Sequence, residues 1–93
     1  MLKKIEHIGV AVQNIEKSIP LFRDLLGIPL KKVYESDSIK TKIAFFPLGD
    51  STIELIEAMD PSSPVAKFIQ KRGEGIHHIC FGVENVEAAL RHF

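Results

Sequence analysis

Residues 7–22, HIGVAVQNIEKSIPLF, reappear as residues 78–93, HICFGVENVEAALRHF, where the chain ends. Six of the sixteen aligned pairs are identical, and others exchange similar residues, such as Ile15 with Val86. The repeat period of 71 residues exceeds that of a solenoid and suits a duplicated module of several strands and a helix. The sequence therefore predicts a paired module whose second copy is present only as its opening.

The composition is that of a small globular domain with no overall charge preference. The chain has 93 residues, 45% of them hydrophobic, and twelve basic residues balance twelve acidic ones. We therefore expect neither a nucleic-acid partner nor a membrane partner, since no net field and no run of about 18 apolar residues supports one. Local lysine pairs such as Lys31-Lys32 either bind a phosphate or form a solvated face. One cysteine and no signal-peptide pattern favour a cytoplasmic location.

The first copy begins with a predicted strand and a predicted helix. Residues 4–12 alternate as in a half-buried strand, with His7, Gly9 and Ala11 on one face and Ile8 and Val10 on the other. A helix should follow, because a capping asparagine precedes an apolar stripe and a glycine ends it. The cap is Asn14, the stripe is Ile15, Ile19, Phe22 and Leu26, the stop is Gly27, and Pro20 should kink the chain.

Three more strands and a second helix complete the predicted order. The strands are residues 30–35, 40–47 and 52–57, and the turn at 48–50 joins the last two as a hairpin. Ser63 as N-cap, Pro64 at the first helical position and Gly73 beyond the end predict the second helix. We expect one α+β domain over residues 1–93. It comprises a βαβββ module (1–60), a connecting helix (61–75) and an incomplete second module (76–93), which contributes its first strand and the start of its helix.

The repeat also places two histidines at equivalent points of duplicated strands. His7 and His78 are each followed two and four positions later by small residues, which predicts a concave surface with room for a bound species. Strand alternation puts Cys80 on the face of His78 and puts His77 on the opposite face, toward the helices. We therefore expect His77 to be a hydrogen-bonded structural residue rather than a ligand. Cys80 is a soft ligand, a nucleophile or a small buried residue, and we expect the last because nothing nearby in sequence activates it.

Glu54 is the third candidate ligand. It lies within the otherwise apolar strand STIELIEA, where a carboxylate is costly to bury unless it is paired or binds a cation. With His7 and His78 it offers an N,N,O set that suits zinc, cobalt, nickel or manganese. The alternative is that both histidines are hydrogen-bonded within their strands and that Glu54 faces water on an edge strand.

Three longer stretches of the chain are informative together. They are HIGVAV with NIEKSIPLFRDLLG, then KIAFFPLGDSTIELIE, then SSPVAKFIQKRGEGIHHICFGVENVEAA. They resemble the vicinal oxygen chelate superfamily and, within it, the methylmalonyl-CoA epimerases, over essentially the whole chain. The resemblance implies a glyoxalase-like fold of paired βαβββ modules around one divalent metal. Matching motif positions place His7, Glu54 and His78 on three metal-ligand positions, with cobalt, zinc, nickel and manganese not distinguished.

The resemblance further implies an enzyme that epimerises methylmalonyl-CoA. A proton would be removed and returned at C2 through a metal-stabilised enolate, in a homodimer that takes a small acyl-CoA substrate. No separate cofactor-binding residue is assigned. The alternative function is a non-catalytic or glyoxalase-like member of the same fold that binds a metal or a small ligand.

Two departures from the family pattern leave the catalytic residues unknown. The family's fourth ligand, a glutamate also proposed as a base, belongs to a strand beyond Phe93, so the chain resembles a C-terminally truncated epimerase. The activity of the 93 residues alone is therefore left open. The position of the other base falls at Lys42, which is either a lysine with a lowered pKa or a solvated strand lysine. An unfinished second module should also expose Leu90, Phe93 and an unpaired sheet edge, which predicts self-association or poor stability.

Overall fold

The computed structural model describes residues 2–83, which form one mixed sheet with two helices. The strands are β1 (Leu2–Ala11), β2 (Lys32–Ser36), β3 (Thr41–Leu48), β4 (Ser51–Ala58) and β5 (Gly75–Val83), and the helices are α1 (Ile15–Pro20) and α2 (Pro64–Arg72). The strand order is β2-β3-β4-β1-β5, with β1 parallel to β4 and antiparallel to β5. The predicted order βαβββ, then helix, then strand is confirmed. The predicted helix after Asn85, together with Leu90 and Phe93, lies outside the described residues.

Helix α1 starts as predicted but continues with a different geometry. Asn14 Oδ1 accepts a hydrogen bond from Lys17 N at 3.0 Å and caps the helix. Pro20 has no N–H to donate, and the chain continues from it as a π-helical segment, Leu21–Leu25. Wider winding moves later side chains off the apolar stripe, and Leu26 is 57% exposed. The predicted stripe is therefore wrong at Leu26, whereas its other three members pack in the core.

Both faces of the sheet bury apolar side chains, each beneath a different helix. Alternate residues of β4 point to opposite faces, so Leu55 packs under α1 and Ile56 packs under α2. The α1 side buries Val12, Ile15, Ile28, Ala44, Phe46 and Leu55, and the α2 side buries Ala11, Ile56 and Val65. By the same alternation, the face under α2 is the one that carries His7 and Glu54.

Helix α2 is fixed at its start by a buried serine. Ser63 Oγ accepts a hydrogen bond from Val65 N at 3.2 Å and lies 3.1 Å from Thr41 Oγ1 on β3. Gly73 ends the helix with φ of 77°, a conformation that glycine adopts without strain. The predicted cap and stop of this helix are confirmed. No helix within residues 2–83 is long and apolar enough to cross a membrane.

Candidate metal centre

The two copies of the repeat meet as neighbouring antiparallel strands. In the ladder between β1 and β5, His7 lies opposite Cys80 and Gly9 lies opposite His78. In the repeat, His7 corresponds to His78 and Gly9 corresponds to Cys80. Exchanging the two copies therefore turns one pair into the other, and the ladder has approximate twofold symmetry. Directly opposed residues share a face of the sheet, and both histidines therefore lie on the same face.

The histidines approach each other closely, with Glu54 beside them. His7 Nε2 lies 3.0 Å from His78 Nε2, and the two rings meet edge to face at an angle of 85°. Strand β4 runs beside β1 with Glu54 opposite Gly9, and Glu54 Oε2 lies 3.6 Å from His7 Nδ1. The three predicted ligand residues, which come from three separate strands, are thus neighbours in the fold.

Gly9 provides the space that the His78 ring occupies. A Cβ atom at Gly9 would lie 2.2 Å from His78 Cε1, far inside van der Waals contact. The sequence predicted that small residues would leave room for a bound species, but at Gly9 the room is filled by the imidazole itself. Glycine at this position therefore allows His78 to lie over β1 and reach His7.

A β-bulge overturns the predicted orientation of His77. The ladder pairs Gly9 with His78 and then skips His77 before it pairs Ile76, so strict alternation is interrupted. His77 Nδ1 lies 2.9 Å from His78 Nδ1, and its ring packs edge to face on Phe68 of α2 with centroids 4.9 Å apart. The prediction that His77 faces away from His78 is wrong, although His77 is hydrogen-bonded and contacts a helix as expected.

A second bulge brings Glu6 beside His7. The ladder skips Glu6 between Ile5 and His7, and Glu6 Oε1 lies 2.5 Å from His7 Nδ1. Sequence reasoning missed Glu6, although the repeat contained a signal, because Glu6 is the counterpart of His77 71 positions earlier. Glu6, His7 and Cys80 also offer ligand atoms within 4.8 Å of one another, which makes them an alternative ligand set around His7.

Cys80 itself is exposed, so the prediction of a small buried residue is wrong. The physical reason is its position in the sheet. Among residues 2–83, β5 is an edge strand, and Cys80 lies opposite His7 on that strand. A residue of small volume is buried only if another layer covers it.

Burial shifts the ionisation of two of the three predicted ligands. It raises the pKa of Glu54, an effect that the nearby His7 partly opposes. It also lowers the pKa of His78, and the neighbouring His7 and His77 act in the same direction. Both shifts favour the uncharged forms in the metal-free protein, and an uncharged imidazole is the form that binds a metal.

The spacing of the two histidine nitrogens is compatible with a shared divalent metal. If two nitrogens each lie about 2.1 Å from one ion and the nitrogen–metal–nitrogen angle is a right angle, the nitrogens are about 3.0 Å apart. This separation equals the 3.0 Å between His7 Nε2 and His78 Nε2. The carboxylate of Glu54 lies on the same face of the sheet, but its Oε2 is 3.6 Å from Nδ1 of His7, so it would have to turn toward Nε2 to complete the set.

A cavity of about 280 Å³ lies between the start of α2 and this face of the sheet. Most of its wall is apolar, Glu54, His77 and His78 are among its polar residues, and His7 is not part of the lining. The lining residues are Ile39, Thr41, Ile43, Glu54, Ile56, Pro64, Val65, His77 and His78. The cavity can therefore hold the apolar part of a small molecule while a polar part contacts the candidate ligands.

Lys42 does not belong to this face. Its Nζ lies 3.6 Å from Glu16 Oε1 of α1, and the next residue, Ile43, lines the cavity instead. The lysine at the predicted position of a base therefore points to the opposite side of the sheet from Glu54. Of the two alternatives for Lys42, the structure supports the strand lysine over the base.

Residues 6–93 match the family model of the Glyoxalase/Bleomycin resistance protein/Dioxygenase superfamily. The chain belongs to this superfamily. It is 33% identical over 90 residues to mitochondrial methylmalonyl-CoA epimerase of Mus musculus, with 96% of this chain and 51% of the mouse protein covered. The predicted resemblance to the superfamily and to its methylmalonyl-CoA epimerases is thereby confirmed, and the chain spans about half the length of the mouse relative.

Solved structures of similar proteins have the same fold. A hypothetical protein from Bacillus halodurans C-125 superposes with a TM-score of 0.89 at 45% identity, over 96% of this chain and 64% of that one. A methylmalonyl-CoA epimerase in complex with methylmalonyl-CoA and NH4+ superposes with a TM-score of 0.85 at 28% identity, over 99% of this chain and 68% of that one. The glyoxalase-like α+β fold predicted from the sequence is confirmed.

Proposed function

We propose that the protein acts in the epimerisation of methylmalonyl-CoA at C2, with a divalent metal held by His7, Glu54 and His78. The observation that carries the proposal is that His7 contacts both His78 and Glu54, and that His78 and Glu54 line a largely apolar cavity. Similarity to methylmalonyl-CoA epimerases, one of them solved with methylmalonyl-CoA bound, supports the substrate class. The metal remains cobalt, zinc, nickel or manganese.

Each of the three residues has a role suited to such a site. The two imidazoles would supply neutral nitrogens through Nε2, and the Glu54 carboxylate would supply an anionic oxygen. A bound divalent ion would supply positive charge against the negative charge that develops on the thioester oxygen when C2 loses its proton. Gly9 would keep the His78 ring over β1, so that its Nε2 atom remains within reach of His7.

The cavity would orient the acyl group. Ile43 and Ile56 line it together with Glu54 and His78, so a methyl group can lie against the isoleucines while oxygens contact the polar residues. The apolar wall would also exclude water from the reacting carbon and strengthen electrostatic contacts there. Epimerisation needs bases on both sides of C2. We assign neither base within residues 2–83, because Lys42 points to the other face.

The direct test is exchange of the C2 proton of methylmalonyl-CoA for solvent deuterium. The protein is stripped with a chelator, reloaded with cobalt and assayed beside His7→Ala and Lys42→Met variants. We expect cobalt-dependent exchange in the unaltered protein, its loss in His7→Ala and its retention in Lys42→Met. The last variant is a matched control, because it changes a strand residue on the opposite face.

The possible results separate this function from its alternative. Cobalt binding without any C2 exchange would show that these 93 residues are not an epimerase by themselves and would favour a non-catalytic or glyoxalase-like protein of the same fold. Exchange that persists in His7→Ala would remove His7 from the metal site. Exchange lost in Lys42→Met would contradict the orientation of β3 on which the argument depends.

A cytoplasmic homodimer completes the proposal. Exposed apolar residues on β5, including Ile79 and Phe81, support association with a second copy. Sedimentation of the protein at several concentrations tests the dimer, and a monomer at all of them would contradict it.

A further inference from the structure

We propose that Glu6 and His77 are paired positioning residues, which fix the two candidate metal-binding histidines so that their Nε2 atoms face each other. The inference rests on the proposed metal site and deepens it. Its basis is a chain of three contacts through four side chains. They run from Glu6 Oε1 to His7 Nδ1 at 2.5 Å, from His7 Nε2 to His78 Nε2 at 3.0 Å, and from His78 Nδ1 to His77 Nδ1 at 2.9 Å.

The twofold symmetry of the β1–β5 ladder makes this arrangement more than a local coincidence. Glu6 and His77 occupy corresponding positions of the repeat, and each is the extra residue of a β-bulge immediately before a candidate ligand. Without a bulge, neighbouring residues of a strand point to opposite faces. The bulge lets each residue contact the ring that follows it. The same backbone irregularity thus recurs in both copies with the same result, a partner for Nδ1.

The chemistry of the end groups determines the direction of the hydrogen bonds. An ionised Glu6 accepts and cannot donate, so His7 Nδ1 carries the proton and His7 Nε2 has a free lone pair. In the metal-free protein, His78 Nε2 can donate to that lone pair while His78 Nδ1 accepts from His77 Nδ1. Three neutral imidazoles with one proton each satisfy every contact in the chain.

When a metal binds, the hydrogen bond between His7 and His78 is lost, and the hydrogen bond between His78 and His77 must reverse its direction. For His78 Nε2 to become a ligand, its proton must leave that nitrogen, and the ring must carry its proton on Nδ1 instead. His78 Nδ1 then donates to His77 Nδ1, and His77 keeps its own proton on Nε2, so the number of protons is unchanged. His77 suits this role because a neutral imidazole nitrogen can either donate or accept. Glu6 holds His7 in the ligand tautomer throughout.

The test uses substitutions that remove the partner atom and keep the packing. His77→Phe retains a ring against Phe68 but has no nitrogen for His78. Glu6→Leu removes the acceptor of His7, whereas Glu6→Gln retains an oxygen that can accept. Glu35→Leu is the matched control, because Glu35 is exposed on β2 and pairs with Lys42, away from the site.

Two measurements are made on each protein, which is first stripped of metal. Calorimetric titration with zinc gives the affinity, and nitrogen-15 NMR of the zinc-loaded form shows whether the Nδ1 proton of each histidine is retained. We expect His77→Phe and Glu6→Leu each to bind zinc about 10-fold to 100-fold more weakly. The Nδ1 proton of His78 should exchange freely in the first variant and that of His7 in the second. Glu6→Gln should recover most of the affinity, and Glu35→Leu should change neither measurement.

The outcomes distinguish this inference from the proposed function. If the unaltered protein binds no zinc, the metal site itself is wrong. If it binds zinc and the two variants bind equally well, only the positioning role is overturned. Weaker binding with both Nδ1 protons still retained would indicate a purely structural effect and would also overturn it. A Cys80→Ala variant adds one more check, because an equal loss of affinity there would make Glu6 a ligand together with Cys80.

Discussion

The substitution Gly9→Ala should separate metal binding from stability. A methyl group at Gly9 would lie 2.2 Å from His78 Cε1, and an ordinary contact needs at least 3.4 Å, so the ring must move by about 1.2 Å. Binding sites tolerate displacements of roughly 0.5 Å. We therefore expect the zinc affinity to fall about 100-fold. The free energy of unfolding should fall by only about 1 kcal/mol, because the ring can swing away from β1 without disturbing the core.

Calorimetry with zinc and urea unfolding of the metal-free protein measure the two effects separately. Gly82→Ala is the matched control, since its Cβ would meet only the flexible stem of Lys4 at 3.2 Å. Placing Gly9→Ala in a His78→Ala background provides a second control, because the methyl group then meets no ring and should have little further effect. Zinc affinity within threefold of the unaltered value in Gly9→Ala, where roughly 100-fold loss is expected, would refute the idea that Gly9 seats His78.

Three other predictions concern packing and pH. Phe46 is fully buried between α1 and the sheet, so Phe46→Ala should lower the free energy of unfolding in urea by about 3–5 kcal/mol; a loss under about 1 kcal/mol would contradict this packing. Ser63→Ala removes the cap of α2 and a buried hydroxyl contact, so it should cost about 2 kcal/mol in the same assay, while a cost near zero would show that the cap is not needed. The metal-free protein should lose stability as the pH falls below about 6.5, because the lowered pKa of His78 makes the unfolded chain bind its proton more readily than the folded one. Urea unfolding at about pH 5.5 and about pH 7.5 checks this, with His78→Gln expected to flatten the difference and an unaltered difference counting against the lowered pKa.

Regular alternation explains how much of the site could be predicted from the sequence. From His7 and from His78 onward, and on both sides of Glu54, the strands keep a period of two, and the repeat indicated that the two histidines correspond. The order of strands in the sheet, which makes β1 the neighbour of both β4 and β5, is a tertiary property that alternation does not contain. The repeat and the cost of burying Glu54 suggested these three residues as one ligand set, with a bland alternative beside it, and the family resemblance favoured the ligand set.

The wrong predictions have identifiable physical causes. A bulge adds one residue to one strand, so the period of two fails at His77, and no local spacing reveals the extra residue. Pro20 did indicate an irregular helix. Packing of the whole segment decides whether the chain continues as a π-helix, and this π-helical segment leaves Leu26 exposed. The exposure of Cys80 depends on which strand is at the edge.

The symmetric ladder has a consequence for how the protein would respond to its surroundings. His7 and His78 are 71 positions apart in sequence, so an ion shared by them would fasten the first described strand to the last. A ligand that binds only the folded state adds about 2.7 kcal/mol of stability at one hundred times its dissociation constant. The resistance of the protein to heat and proteolysis would then rise and fall with the free metal concentration. At low metal concentration, the contact between the two copies of the repeat would be weaker.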